Sequence, residues 1–186
     1  MLDRLFKRRS PSPAIASALY GAIVAQARNP AFYTGFGVAD TVEGRLEMIM
    51  LHAVILLRHL REGSPAERAV GQAVFDGFCA DVDRSLRELG VGDLSVPRKM
   101  KKIGESFYGR AAAYEPGLAA ADRNGLAAAL GRNVLGEPTP GGAAAALADY
   151  AIAAARGLAA LPEAPSRAGD LPFPDPRAYM PVTAKP

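Results

Sequence analysis

The segment from residue 42 to residue 61 constrains this chain more than any other. Leu46, Ile49, Met50, Ala53, Val54, Leu56, Leu57 and Leu60 recur with helical period and cover more than half of the circumference. A helix that apolar needs neighbours on several sides, so it predicts a bundle with this element at its centre. It is too short to span a bilayer, because Met48 to Leu57 is interrupted by His52 and a span needs ~20 apolar residues. No other stretch alternates apolar and polar residues as a strand would.

Further helices follow from local signals. Ser12 and Pro13 open one over 12–28, with Ile15, Leu19, Ile23 and Ala27 in a stripe, and Asn29-Pro30 closes it. Residues 31–40 read as a loop whose Phe32, Tyr33 and Phe36 pack on the core. Asp40-Thr41-Val42-Glu43 and Ser64-Pro65-Ala66-Glu67 both have the form of a capping box. After the second box, Val70, Val74, Phe78, Val82 and Leu86 step by four until Gly90. A helix from Asp93 or Ser95 is expected to stop near Tyr114, before Glu115-Pro116-Gly117. Asp122 caps one over 123–134, and Thr139-Pro140 starts the last, which reaches about Leu161. The fold class is therefore all-α: a compact bundle of about six helices over 12–161. A basic arm of residues 1–11 precedes it, and a Pro-rich tail of residues 162–186 extends along it through Leu171, Phe173 and Tyr179.

Charge narrows the partners. Of the 22 Lys and Arg residues, Arg4, Lys7, Arg8 and Arg9 crowd the first nine positions beside one acid, Asp3, and account for the whole net charge of +3. The body is neutral, unlike a protein that coats DNA. The arm, with Leu2, Leu5 and Phe6, suits either a frayed end or weak contact with an anionic membrane surface. Arg98, Lys99, Lys101 and Lys102 open a helix whose macrodipole is already positive there. That cost invites either pairing with Asp81 and Asp83 or an external partner: an anionic lipid, RNA or an acidic peptide. Phe107 and Tyr108 follow, either as core, which their apolar size favours, or as the edge of a groove beside the cations. On the preceding helix, Asp83 with Arg87 and Arg84 with Glu88 can pair four apart.

Reaction chemistry is hard to find. One cysteine, Cys79, forbids an internal disulfide. His52 and His59 are seven apart, about 10 Å along a helix. Neither Glu-x-x-His nor Gly-x-Ser-x-Gly occurs. His52 reads as a hydrogen-bonded core histidine; the alternative is a haem or quinone ligand, or a catalytic base. The expectation is a non-enzyme without metal or cofactor.

Two stretches carry a family resemblance: GVADTVEGRLEMIMLHAVILLRHLR at 37–61 and FDGFCADVDRSLRELGVGDLSVPRKMKKIGESFYGR at 75–110. They resemble the ubiquinol–cytochrome c reductase (bc1) assembly chaperones, a likeness that extends over about residues 14–160 and fades after 120. It implies a helical chaperone for bc1 biogenesis. Mitochondrial members hold newly made cytochrome b, act with a small partner protein and sit near the ribosomal tunnel exit. The family-like region starts close to Met1, which fits a bacterial-type member in the cytoplasm or at the cytoplasmic face of the inner membrane. On that resemblance the candidate partner-binding residues are Asp40, Arg45, Asp83, Arg84, Lys99, Lys101, Lys102, Tyr108 and Arg110, with Arg98 added from the basic run.

Overall fold

The computed structural model describes residues 13–161 and 171–181. The basic arm, including Arg4, Lys7, Arg8 and Arg9, lies outside the described residues, as do 162–170 and 182–186 of the tail. The described residues form an all-α bundle with six helices of two turns or more and one short helix, and no strand. In chain order these are α1 (Pro13–Ala27), α2 (Pro30–Thr34), α3 (Val42–Glu62), α4 (Pro65–Glu88), α5 (Val96–Ala120), α6 (Arg123–Leu130) and α7 (Gly142–Ala159).

Helix α3 is the centre of the bundle, packed by α1, α4, α5 and α7. Its Met48, Leu51, Ile55 and Leu56 are fully buried. They meet Leu19 and Ile23 of α1, Val74 and Phe78 of α4, and Leu147 and Tyr150 of α7 in one continuous core. Burying a Leu or Ile side chain contributes about 1.5–3 kcal/mol, so this shared core, more than any cap, holds the helices in place. Phe32 and Phe36 are both buried, as their apolar bulk demands.

Several boundaries differ from the sequence expectations, each for a local reason. The loop after α1 contains a turn of helix, because Asn29 accepts from the Ala31 amide and Pro30 supplies a preset φ. Thr41, not Asp40, caps α3 by accepting from the Gly44 amide at 3.1 Å. Asp40 pairs instead with Arg45 at 2.7 Å. The expected capping box is therefore absent at Asp40 and present in full at Ser64 and Glu67. Helix α5 runs through Pro116 to Ala120 instead of stopping near Tyr114. The hydrogen bond that proline forfeits is offset by burial of Leu118 and by an intimate approach of Gly117 to Leu126 of α6. The stretch expected as one helix over 123–134 is α6, capped by Asp122, followed by a wider π turn over Gly131–Leu135. Helix α7 starts two residues after Pro140, at Gly142, without a side-chain cap.

The described part of the tail lies on the bundle. The Phe173 ring meets the His52 ring at 5.1 Å, and Tyr179 meets Tyr150 at 6.0 Å. A single turn of 3-10 helix, Pro176–Tyr179, ends this strap. Among the described residues no helix is long and apolar enough to cross a membrane.

Candidate functional site

Helix α4 carries a groove at each end. The larger, about 530 Å³, lies between the start of α4, the end of α3 and the second half of α5. Its apolar wall is Val54, Leu57, Phe75 and Phe107, and Gly71, Ala111 and Ala112 keep it open because they carry little or no side chain. Arg58, Arg61, Arg68 and Glu115 form the polar rim. Glu115 receives both Arg58 (3.2 Å) and Arg61 (3.3 Å), while Arg68 donates to the Gly63 carbonyl. Phe75 is the hub of an aromatic cluster, with Phe107 at 5.0 Å and Tyr108 at 5.8 Å. Tyr108 stands on the rim, 64 % exposed, and is not the core residue its apolar bulk suggested. The α5 turn brings Phe107 to the bundle and leaves its neighbour outside.

The smaller groove, about 340 Å³, lies at the other end of α4 against α1 and the start of α3. Leu46, Ile49, Val82 and Leu86 give it an apolar floor, with Arg28 and Arg45 on one side and Asp81 and Glu88 on the other. Tyr20 donates to Asp81 at 2.9 Å. Burial, then the bonded carboxylate, push the Tyr20 phenol above its ordinary range. Arg45 also reaches a shallow cleft beside Tyr33 and Asp40. The Arg45 guanidinium holds the Asp40 carboxyl below the usual carboxylate range, and Arg87 does the same to Asp83.

The structure thus gathers some sequence candidates and separates others. Asp40 and Arg45 pair at the shallow cleft beside the smaller groove, which Arg45 also lines, and Arg84 pairs with Asp81 of that groove in preference to the expected Glu88. Asp83 pairs with Arg87 as its spacing implies. Arg110 is turned inward, forked onto Glu47 of α3 at 2.7 and 3.0 Å, where both side chains are largely covered. Arg98, Lys99 and Lys102 form no ion pair among the described residues, and Lys101 reaches only Glu105, at 3.9 Å. The anticipated pairing of this run with Asp81 and Asp83 does not form, because those carboxylates are taken by Arg84 and Arg87. Sequence reasoning missed Arg58, Arg61, Arg68 and Phe75. The available signal was the small residues Gly71, Ala111 and Ala112 on otherwise well-filled helix faces, though which residues they meet is set by packing.

His52 is fully buried and bonded at both nitrogens. Nδ1 donates to the Met48 carbonyl at 2.7 Å, which fixes the tautomer, since a carbonyl only accepts. Nε2 therefore accepts from the Tyr150 hydroxyl at 2.7 Å, and that hydroxyl accepts from Gln26 at 2.9 Å. Gln26 also donates to the Pro174 carbonyl of the tail at 3.0 Å. Burial lowers the His52 pKa to about 4 against the partial support of the Met48 carbonyl, so the ring is neutral at physiological pH. With both nitrogens engaged and no exposed edge, the ring joins α1, α3, α7 and the tail; it is not presented to a haem, a quinone or a substrate.

Fold and surface together define an all-helical bundle in which one helix carries a charge-rimmed apolar groove at either end. The family described as Ubiquinol-cytochrome C chaperone matches residues 34–173. A crystal structure of a Cbp3 homolog from Brucella abortus aligns with a TM-score of 0.81 at 40% identity, covering 95% of this chain and 98% of that one. The Ubiquinol-cytochrome-c reductase complex assembly factor 1 of Xenopus laevis is 25% identical over 104 residues. That alignment takes in 56% of this chain, and the chain spans about half the length (52%) of that relative. The chain belongs to the ubiquinol–cytochrome c chaperone family.

Proposed function

We propose that this chain is a non-catalytic assembly chaperone that holds newly made cytochrome b, seating an apolar or amphipathic helix of that client in the larger groove. The observation that carries the reading is the groove itself. It joins an aromatic and aliphatic wall to small residues that admit a close helix, with arginines placed to meet the polar edge of the occupant. Guanidinium groups bind and orient, but they stay protonated and do not exchange protons in a reaction. The smaller groove, with Arg45 and Asp81 on opposite walls, suits a second polypeptide such as a small partner assembly protein. Family membership supports both assignments, and the reading places the chain's work in the cytoplasm or at the cytoplasmic face of the inner membrane.

The test uses a tagged full-length chain to capture newly made subunits from cells. Tyr108→Glu with Ala112→Glu places two carboxylates in the larger groove at exposed positions, so the fold is spared. Recovery of cytochrome b is expected to fall about tenfold, which corresponds to about 1.4 kcal/mol of lost contact. Undiminished recovery, or normal bc1 levels in cells lacking the chain, would overturn the proposal.

A further inference from the structure

The connection between α4 and α5 protrudes from the bundle with an apolar tip. Leu94 is 99 % exposed and Leu89 61 % exposed. A lone exposed leucine is ordinary, but this one is held out by a braced backbone. Helix α4 closes with Gly90 at φ +79°, Gly90 N–H bonding Arg87 O and Val91 N–H bonding Leu86 O, both at 3.0 Å. The next turn is tied by Ser95 N–H on Gly92 O at 2.8 Å. Asp93, the acid at the tip, is neutralised by Arg87.

Directly behind the tip stand Arg98, Lys99, Lys101 and Lys102. At 100° per residue these four span about 160° of α5, on the side opposite the buried Val96, Phe107 and Tyr114. No acid lies in that first turn and Ser95 makes no capping bond, so the cations face the positive end of the helix uncompensated. Among the described residues only the Lys101–Glu105 pair, at 3.9 Å, draws any of them into the protein's own surface.

We propose that the 89–95 connection and the opening turns of α5 form a docking surface for an anionic lipid bilayer. Leu89 and Leu94 enter the interface, and the four cations lie at the level of the headgroups. Lysine and arginine stems tolerate that depth because their charged ends reach back to phosphate. Exposure favours a membrane over a protein partner: Leu94 stands almost wholly in solvent, and the grooves that would seat a helix or extended peptide lie elsewhere along α4. The inference is independent of the cytochrome b assignment, since a pure lipid assay contains no client.

The chain has no Trp, so Leu94→Trp supplies a single reporter at the tip of the full-length protein. With vesicles of phosphatidylcholine containing phosphatidylglycerol, its emission is expected to shift to the blue. With phosphatidylcholine alone it stays put, and raising salt from ~0.05 to ~0.5 M reverses the shift by screening. Arg98→Glu with Lys102→Glu weakens binding about tenfold or more, because both attractions become repulsions. Arg8→Glu with Arg9→Glu leaves the shift at position 94 in place, which separates this surface from the N-terminal arm. Sedimentation of the wild type against Leu94→Asp, a change at a solvent-facing side chain, guards against an effect peculiar to Trp. Emission unmoved by anionic vesicles, a shift equal on both vesicle types, or equal sedimentation of wild type and Leu94→Asp would each overturn the proposal. So would a shift that appears only on addition of a client polypeptide.

Discussion

His52 shows how one polar residue in an apolar helix becomes structural. The ring bonds to its own helix through Met48 and to α7 through Tyr150, so its burial strands no donor or acceptor. A consequence follows for pH. In the fold the pKa is near 4, against 6.5 for an unperturbed histidine. Between those values the unfolded chain binds a proton that the folded chain refuses. Stability is therefore full above pH 6.5 and drains as pH falls towards 4, by about 3 kcal/mol in all. Urea unfolding at a series of pH values measures this, and His52→Gln, which cannot titrate, should flatten the profile across that window. The depressed carboxylates Asp40, Asp83 and Asp175 release their contributions at lower pH, so they do not mask it. Tyr114 is the counterexample. Its hydroxyl is buried beside Asn133 without a hydrogen bond of ordinary geometry among the described residues, and burial raises its pKa.

At the scale of elements, helix ends decide what the grooves look like. Gly44 lies in the first turn of α3 with the Ala39 carbonyl 2.0 Å from where a Cβ would stand. That contact with rigid backbone forces the chain entering α3 to move. Gly44→Ala should cost about 2–3 kcal/mol by overpacking and disturb the Asp40–Arg45 pair beside the smaller groove. The opposite sign is expected where α5 ends. Ala121 sits at φ +52°, a left-handed conformation in which its Cβ crowds the carbonyl. Ala121→Gly should stabilise by about 1 kcal/mol. Thermal unfolding of the two variants checks both signs. Pro116 marks where local rules mislead: proline usually ends a helix, and here buried Leu118 and the Gly117–Leu126 approach keep it going.

Across the whole molecule, the tail strap closes the core over α3 and α7. Phe173 covers the His52 ring edge-on at 5.1 Å, Pro174 accepts from Gln26, and the Pro172 carbonyl lies where a side chain at Gly157 would stand. The strap thus joins the polar chain that runs from Gln26 through Tyr150 to His52. Phe173→Ala should cost about 3 kcal/mol and let water reach the imidazole. The His52 pKa, read from its ring proton shifts by NMR, should then rise from about 4 towards 6.5. An unchanged pKa in a destabilised variant would mean that α7 alone excludes water from the ring.

The order of the elements could be read from the chain, because helical periodicity and the caps at Ser64 and Asp122 are local, set by neighbours within four residues. The centrality of α3 could be read for the same reason, from an apolar surface too wide for one partner. The seam at which the helices meet could not. Phe75 and Tyr108 lie 33 positions apart and come together at 5.8 Å only when α4 and α5 pack. The groove they edge is a product of that packing, as is the separation of Tyr108 from its buried neighbour Phe107. Arg110 shows the limit most directly: its charge was visible in the sequence, but the Glu47 carboxylate that turns it into the bundle comes from α3 and meets it only through packing. Charge pattern is a property of the chain; whether a charge is spent inside the protein or offered to a partner depends on distances that folding alone sets.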